Sequence, residues 1–117
     1  MVKWGVIGTG TISTAFCDSI RYSNEGELTA VASRSSKNLK HFSDKYGVAT
    51  YDSYDALLND SSIDAIYIGT PHNSHFDLSL KTLRSGKHLL CEKPMTMNST
   101  EAMILLNEAR RFNLFFM

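Results

Sequence analysis

Short apolar runs alternate with amphipathic stretches along the whole chain. Val2 to Ile7, Leu28 to Ser33, Ala65 to Gly69 and His88 to Cys91 are rich in Val, Ile, Leu and Tyr, and turn or breaker residues follow each of them. These are expected to be buried parallel strands. Between them, Ile12, Phe16 and Ile20 repeat at four; Phe76, Leu80 and Leu83 at four and three; Ala102, Leu105, Leu106 and Ala109 at three, one and three. Each set makes one apolar stripe on a helix. Shorter pieces complete the alternation: a helix from about Lys37 to Tyr46, a strand near Ala49 to Tyr51 and a helix from about Tyr54 to Asn59. Gly47 and Gly86 fall where helix C-caps belong, and Asn98 with Glu101 has the spacing of an N-terminal capping box.

Strand and helix repeated in this way predict an α/β fold with a doubly wound parallel sheet, covered on both faces and built with right-handed crossovers. The chain has 117 residues, 43% of them apolar, enough for one domain over residues 1–117. Asn113 to Met117, "NLFFM", looks like the opening of a further buried strand, so the chain is expected to be the N-terminal portion of something longer. A sheet cut short there should leave one face uncovered, with exposed apolar surface near Leu114 to Phe116.

Lys plus Arg number 12 and Asp plus Glu also 12, which gives no overall field to attract nucleic acid or an anionic membrane. Any anion site must be local. No apolar run reaches the roughly 18 residues of a membrane span, and the N-terminus lacks the pattern of a signal peptide, so a soluble, cytoplasmic protein is expected. Cys17 and Cys91 form no C-x-x-C pair and are expected to be plain buried thiols. The four histidines have no carboxylate at matching spacing, which argues against a metal site.

"VIGTGTISTAF", Val6 to Phe16, follows the first strand and opens a helix. In that context Gly8 permits a tight turn, and Gly10 lets the backbone approach a pyrophosphate lodged at the helix N-terminus, where free N–H groups and the dipole favour anions. Ser13 stands where a third glycine is usual, and is small enough for close helix–strand packing. A turn that merely reverses the chain is the alternative. NAD binders place an acid about twenty residues on, to hold the ribose hydroxyls. Here the stretch is "ASRSSKN", and Ser33, Arg34, Ser35 and Lys37 supply donors and cations instead. They suit a 2′-phosphate, which favours NADP over NAD. Solvated charges at a helix start are the alternative for Arg34 and Lys37. A methyltransferase binding S-adenosylmethionine at the same kind of turn also wants an acid there, and Arg34 argues against it.

Two further segments, "TPHNSH" after the strand Ala65 to Gly69 and "EKP" after His88 to Cys91, lie at strand C-terminal ends, the edge where open α/β sheets bind ligands. With G-x-G-x-x at Gly8 to Ile12 and S-R-S at Ser33 to Ser35, they make the chain resemble the glucose-fructose oxidoreductase, inositol dehydrogenase and dihydrodiol dehydrogenase family (Gfo/Idh/MocA). The resemblance implies the NAD(P)-binding Rossmann domain of a two-domain oxidoreductase acting on a sugar, polyol or related diol. It implies cofactor contacts from Gly8, Gly10, Thr11, Ile12, Ser33, Arg34, Ser35 and Lys37, and from Thr70, Pro71, His72 and His75 along the groove. Glu92 is implied near the nicotinamide ribose, and Lys93 near nicotinamide and substrate, where it orients or protonates the reacting oxygen. The family's second domain, which carries its other acid/base residues, most of the substrate pocket and usually the dimer contact, has no counterpart here. By residue type alone, Glu92 with Lys93 also fits an exposed ion pair, and the histidines ordinary loop positions. The competing functional class is a stand-alone nucleotide-sensing module without chemistry of its own.

Overall fold

Neighbouring residues on the central strands pack into opposite cores, and this alternation organises the molecule. The structure, a computed structural model, describes residues 1–70, 75–91 and 99–116, with Thr11, Ile12 and His75 described by their backbone alone. In chain order the elements are β1 (Val2–Ile7), α1 (Thr11–Arg21), β2 (Gly26–Ala32), α2 (Ser36–Tyr46), β3 (Ala49–Tyr51), α3 (Tyr54–Leu58), β4 (Ala65–Ile68), α4 (His75–Arg84), β5 (His88–Cys91) and α5 (Ser99–Arg111). Ile7, Ala30, Ala32, Ile66 and Ile68 point into one core with Leu57, Leu83 and Leu105 from α3, α4 and α5. Val6, Val31 and Tyr67, one residue out of step, point into the other with Cys17 from α1 and Leu39 and Phe42 from α2. The period of two is what divides the helices between the faces.

The five strands are all parallel and ordered β3-β2-β1-β4-β5. That is the doubly wound arrangement the alternation predicts. β2 starts two residues earlier than its apolar run, because Gly26 already pairs with Val2, and it ends at Ala32, leaving Ser33 in the turn. The early pairing is accommodated by a bulge, in which Trp4 faces Leu28, Gly5 faces Ala30 and Thr29 is the extra residue. Gly47 closes α2 in the left-handed conformation. Gly86 ends α4 with Lys87 N–H on Thr82 O and Gly86 N–H on Leu83 O, and Asn113 does the same for α5, at φ 57°. Asn98, first member of the expected capping box, lies outside the described residues.

Of two expectations about the chain's end, the uncovered sheet face needs correction and the exposed apolar surface holds in part. Neither sheet face is bare, since α5 supplies Leu105 and Ala109 to the core. Leu114 and Phe116 are half-buried against that same core, with Leu89 N–H on Phe115 O and a parallel bridge from Leu89 to Phe116, whereas Phe115 is 73% exposed and Phe112 beside it is exposed too. The physical reason is the turn at Asn113, which folds the segment back alongside β5. Cys17 and Cys91 are buried thiols outside any disulfide, as expected, and burial pushes the Cys17 thiol up to about 12. Among the described residues no helix is long and apolar enough to cross a membrane.

Asp60, at the entry to β4, joins three strands. Its carboxylate accepts from Tyr51 Oη of β3 (2.7 Å) and from Ser62 Oγ (2.6 Å) and N–H (2.9 Å). The ammonium of Lys87, the residue before β5, is buried against the carbonyls of Asp60 (2.7 Å) and Ile63 (2.9 Å). The Ser62 hydroxyl, and then Tyr51, hold the Asp60 carboxyl below its usual 3.8. A carboxyl lowered by folding adds stability that is present above its unfolded pKa and fades as pH falls through the folded one. Asp60→Asn should therefore lower the thermal midpoint at neutral pH, and the gap to the unmutated chain should close below pH 3.8. A gap that stays constant across that range in calorimetric scans would show that the ionised carboxylate contributes nothing.

Candidate functional site

The sheet order reverses direction between β1 and β4, and the turns that leave these two strands meet at their C-terminal ends. Gly8 N–H donates to Ala32 O of β2, while Gly69 N–H donates to Ile7 O, each at 2.9 Å. The first turn is thus tied to both neighbouring strands. Gly8 adopts φ 102°, and a Cβ there would stand 3.1 Å from the Gly69 carbonyl and 3.2 Å from Thr70 Cγ2, so sterics and backbone conformation both require glycine. Gly69 is constrained by sterics alone. A Cβ on it would run into Ser13 Oγ and lie 3.1 Å from the Tyr67 ring.

Ser13 thus does fill the place of the missing third glycine, fully buried on α1 against Gly69. Its hydroxyl has no hydrogen-bond partner among the described residues. α1 is pressed onto the sheet by Phe16, whose ring stacks on Tyr67 at 4.1 Å between centroids. The N-terminus of α1 contrasts with those of its neighbours. Ser35 caps α2 and Ser53 caps α3 through their hydroxyls, whereas α1 begins at Gly10, extended and without a side-chain cap. A Cβ on Gly10 would meet nothing within 4 Å. Gly10 therefore gives the first N–H groups of α1 no side-chain cap, at the switch point where the helix dipole favours an anion.

The other face of this crevice is the β2–α2 turn. Ser33 is buried, and its hydroxyl accepts from Ser35 N–H and shares a 3.1 Å hydrogen bond with Thr9 Oγ1. Asn38 Nδ2, in the first turn of α2, donates to Thr9 Oγ1 at 3.1 Å. Arg34 lies over the Tyr54 ring, 5.2 Å from its centroid, at the wall of a cavity of about 430 Å³ that Asp52, Asp77 and Leu78 also line. Lys37 is exposed on α2, whose first turn carries no acid.

Gly8, Gly10, Ser33, Arg34, Ser35 and Thr70 are therefore gathered at one edge of the sheet, Thr11 and Ile12 open α1, and His75 opens α4. Pro71, His72, Glu92 and Lys93 lie outside the described residues. Thr9, Asn38, Tyr54 and Gly69 were missed from sequence. Only Thr9 had a local signal, as the residue between the two glycines.

Fold, switch-point crevice and glycine turn together define a doubly wound domain of the dinucleotide-binding kind. The chain belongs to the oxidoreductase family with an NAD-binding Rossmann fold, whose family model matches residues 2–117. It is 39% identical over 118 residues to the trans-1,2-dihydrobenzene-1,2-diol dehydrogenase of Xenopus laevis, covering 98% of this chain and 36% of that protein. It is 34% identical over 133 residues to the D-xylose 1-dehydrogenase (NADP(+)) of Hypocrea jecorina, covering 99% of this chain and 33% of that one. Among solved structures it is similar to a 3-ketoreductase from Actinomadura kijaniata in complex with NADP and TDP-benzene, at TM-score 0.95 and 33% identity, over 99% of this chain and 36% of that one. The chain spans about a third of the length of these relatives.

The contact between Ser13 and Gly69 can be tested by a double-mutant cycle. Gly69→Ala should destabilise the chain by about 1–3 kcal/mol through overpacking. Ser13→Ala removes an unpartnered buried hydroxyl and should leave stability unchanged or raise it. In the Ser13→Ala background Gly69→Ala should cost less than half as much, because Ser13 Cβ lies at an ordinary 3.5 Å while the 3.1 Å contact with Tyr67 persists. Equal penalties in the two backgrounds, measured by denaturant unfolding, would rule out Ser13 as the packing partner.

Proposed function

We propose that this chain is the cofactor-binding part of an NADP-dependent oxidoreductase that takes a hydride from a carbinol carbon of a sugar, polyol or diol, or returns it to the carbonyl carbon so formed. The observation that carries the binding part is the uncapped N-terminus of α1, held at the switch point by a glycine turn hydrogen-bonded to both neighbouring strands. That turn offers backbone donors to a pyrophosphate, and Gly10 puts no side chain in its path. The named activities of the relatives, a dihydrodiol and a xylose dehydrogenase, support the substrate class. When bound, a nicotinamide supplies the hydride acceptor or donor.

The residues present fit NADP better than NAD. Ser33, Arg34, Ser35 and Lys37 place hydroxyls and cations where a ribose-binding acid would otherwise stand, and Arg34 is the planar donor suited to a phosphate. Lys93, two residues beyond the end of β5, is proposed as the group that holds or moves the substrate proton, with Glu92 beside the ribose. The remaining acid/base residues, the substrate pocket and any oligomer contact are proposed to belong to further sequence of the length that the relatives have.

Titration of the chain with NADPH and NADH tests this reading. One or two charge-assisted hydrogen bonds at about 1.5–3 kcal/mol each, discounted for exposure, correspond to a preference for NADPH of roughly 10 to 10² fold at low salt. The preference should shrink as salt screens the phosphate. Arg34→Ala should abolish most of it by weakening NADPH and sparing NADH. Equal affinities for the two nucleotides at low salt would overturn the assignment of the β2–α2 turn.

A further inference from the structure

The glycine turn and the β2–α2 turn are joined through side chains by one short chain of hydrogen bonds, and Asn38 stands at its head. Asn38 Nδ2 donates to Thr9 Oγ1, Thr9 Oγ1 and Ser33 Oγ share a hydrogen, and Ser33 Oγ accepts from Ser35 N–H. We infer that Asn38 is a positioning residue that sets the preference for a 2′-phosphate, by leaving one hydroxyl hydrogen of the Thr9–Ser33 pair free to point outward. This inference rests on the dinucleotide reading of the site.

Counting hydrogens gives the reason. Thr9 and Ser33 own two hydroxyl hydrogens, and only one fits between their oxygens. The amide of Asn38 and the N–H of Ser35 both donate inward, so neither consumes the second. Ser33 is only 6% exposed, whereas Thr9 is half-buried at the mouth of the crevice. The arrangement open to a ligand is therefore the one in which Ser33 donates to Thr9, and the Thr9 hydroxyl hydrogen faces out. A phosphate oxygen accepts such a donor, in company with the Arg34 guanidinium.

A carboxylate in place of the amide reverses this polarity. In Asn38→Asp the new oxygen accepts from Thr9, the free hydrogen is drawn inward, and a negative charge stands beside the phosphate position. A bare ribose, which carries donors of its own, tolerates or welcomes that change. Aspartate is isosteric with asparagine, and position 38 is the third residue of α2, where the dipole favours an acid. The fold should therefore accept it.

The test is calorimetric titration of the unmutated chain, Asn38→Asp and Asn38→Ala with NADPH and with NADH at low salt, alongside their thermal midpoints. Asn38→Asp should weaken NADPH by about 10-fold or more, keep NADH within about 3-fold or tighten it, and leave the midpoint no lower. Asn38→Ala, which removes the donor and adds no charge, should weaken NADPH by about 3-fold. A role confined to structure predicts the opposite order, with alanine worse than the isosteric aspartate. That order, or equal losses for both nucleotides, overturns the inference while a preference of the unmutated chain for NADPH leaves the functional reading standing. Failure of the unmutated chain to bind either nucleotide overturns both.

Discussion

The tie of β1's last residues to both neighbouring strands governs the site. Gly8 N–H reaches Ala32 O on one side, and Ile7 O receives Gly69 N–H on the other. These two bonds continue the sheet's pairing past the strand end, so the turn is fixed by the same ladder that holds the strands together. The direction of α1 follows, because a turn pinned on both sides leaves the chain one way out, over the face that Val6, Val31 and Tyr67 present. Phe16 on Tyr67 and Ser13 on Gly69 then determine how closely the helix approaches. A dinucleotide bound here would meet backbone donors that need no rearrangement, which lowers the ordering cost of binding.

The same constraint explains why small residues gather at the switch point. Two parallel strands exit side by side and a helix must start within van der Waals reach of both. Glycine at 8 and 69 and serine at 13 leave space for one another in turn, and enlarging any of them crowds a backbone or a ring. Gly10 differs in that its Cβ position has no other described residue within 4 Å beyond its two chain neighbours. Its value lies in what it leaves open, whereas Gly8 and Gly69 matter for what they let close.

The elements were legible in the sequence because their signals are local. Val6–Ile7, Ala30–Val31–Ala32 and Ile66–Tyr67–Ile68 alternate between two cores, and a strand buried on both faces must then be apolar at every position. Glycine and serine at helix ends were equally plain. What escaped depends on contacts far apart in the chain. The link from Asn38 to Thr9 crosses 29 residues, and Arg34 meets Tyr54 from across the sheet edge. No periodicity announces either. The start of β2 escaped because Gly26 and Glu27 lack an apolar pattern and pair with Val2 and Lys3 across the sheet. The expectation of a bare sheet face failed for a similar reason, since the turn that returns Leu114 and Phe116 to the core depends on Asn113 in a left-handed conformation.

Charge places a limit on how such a site can choose its ligand. Twelve basic and twelve acidic side chains cancel over the chain, and Asp52 and Asp77 line the same cavity as Arg34. At a distance, the field of the guanidinium is offset by these carboxylates and further damped by salt over a Debye length of about 8–10 Å. Only a ligand group that touches Arg34 directly escapes that cancellation. Stacking over Tyr54 limits the rotamers open to the arginine, so less conformational freedom remains to be lost on contact. On the proposed reading, selectivity in this crevice would come from short-range hydrogen bonds of defined polarity, those of Arg34 and of the hydroxyl pair behind it, with long-range attraction contributing little.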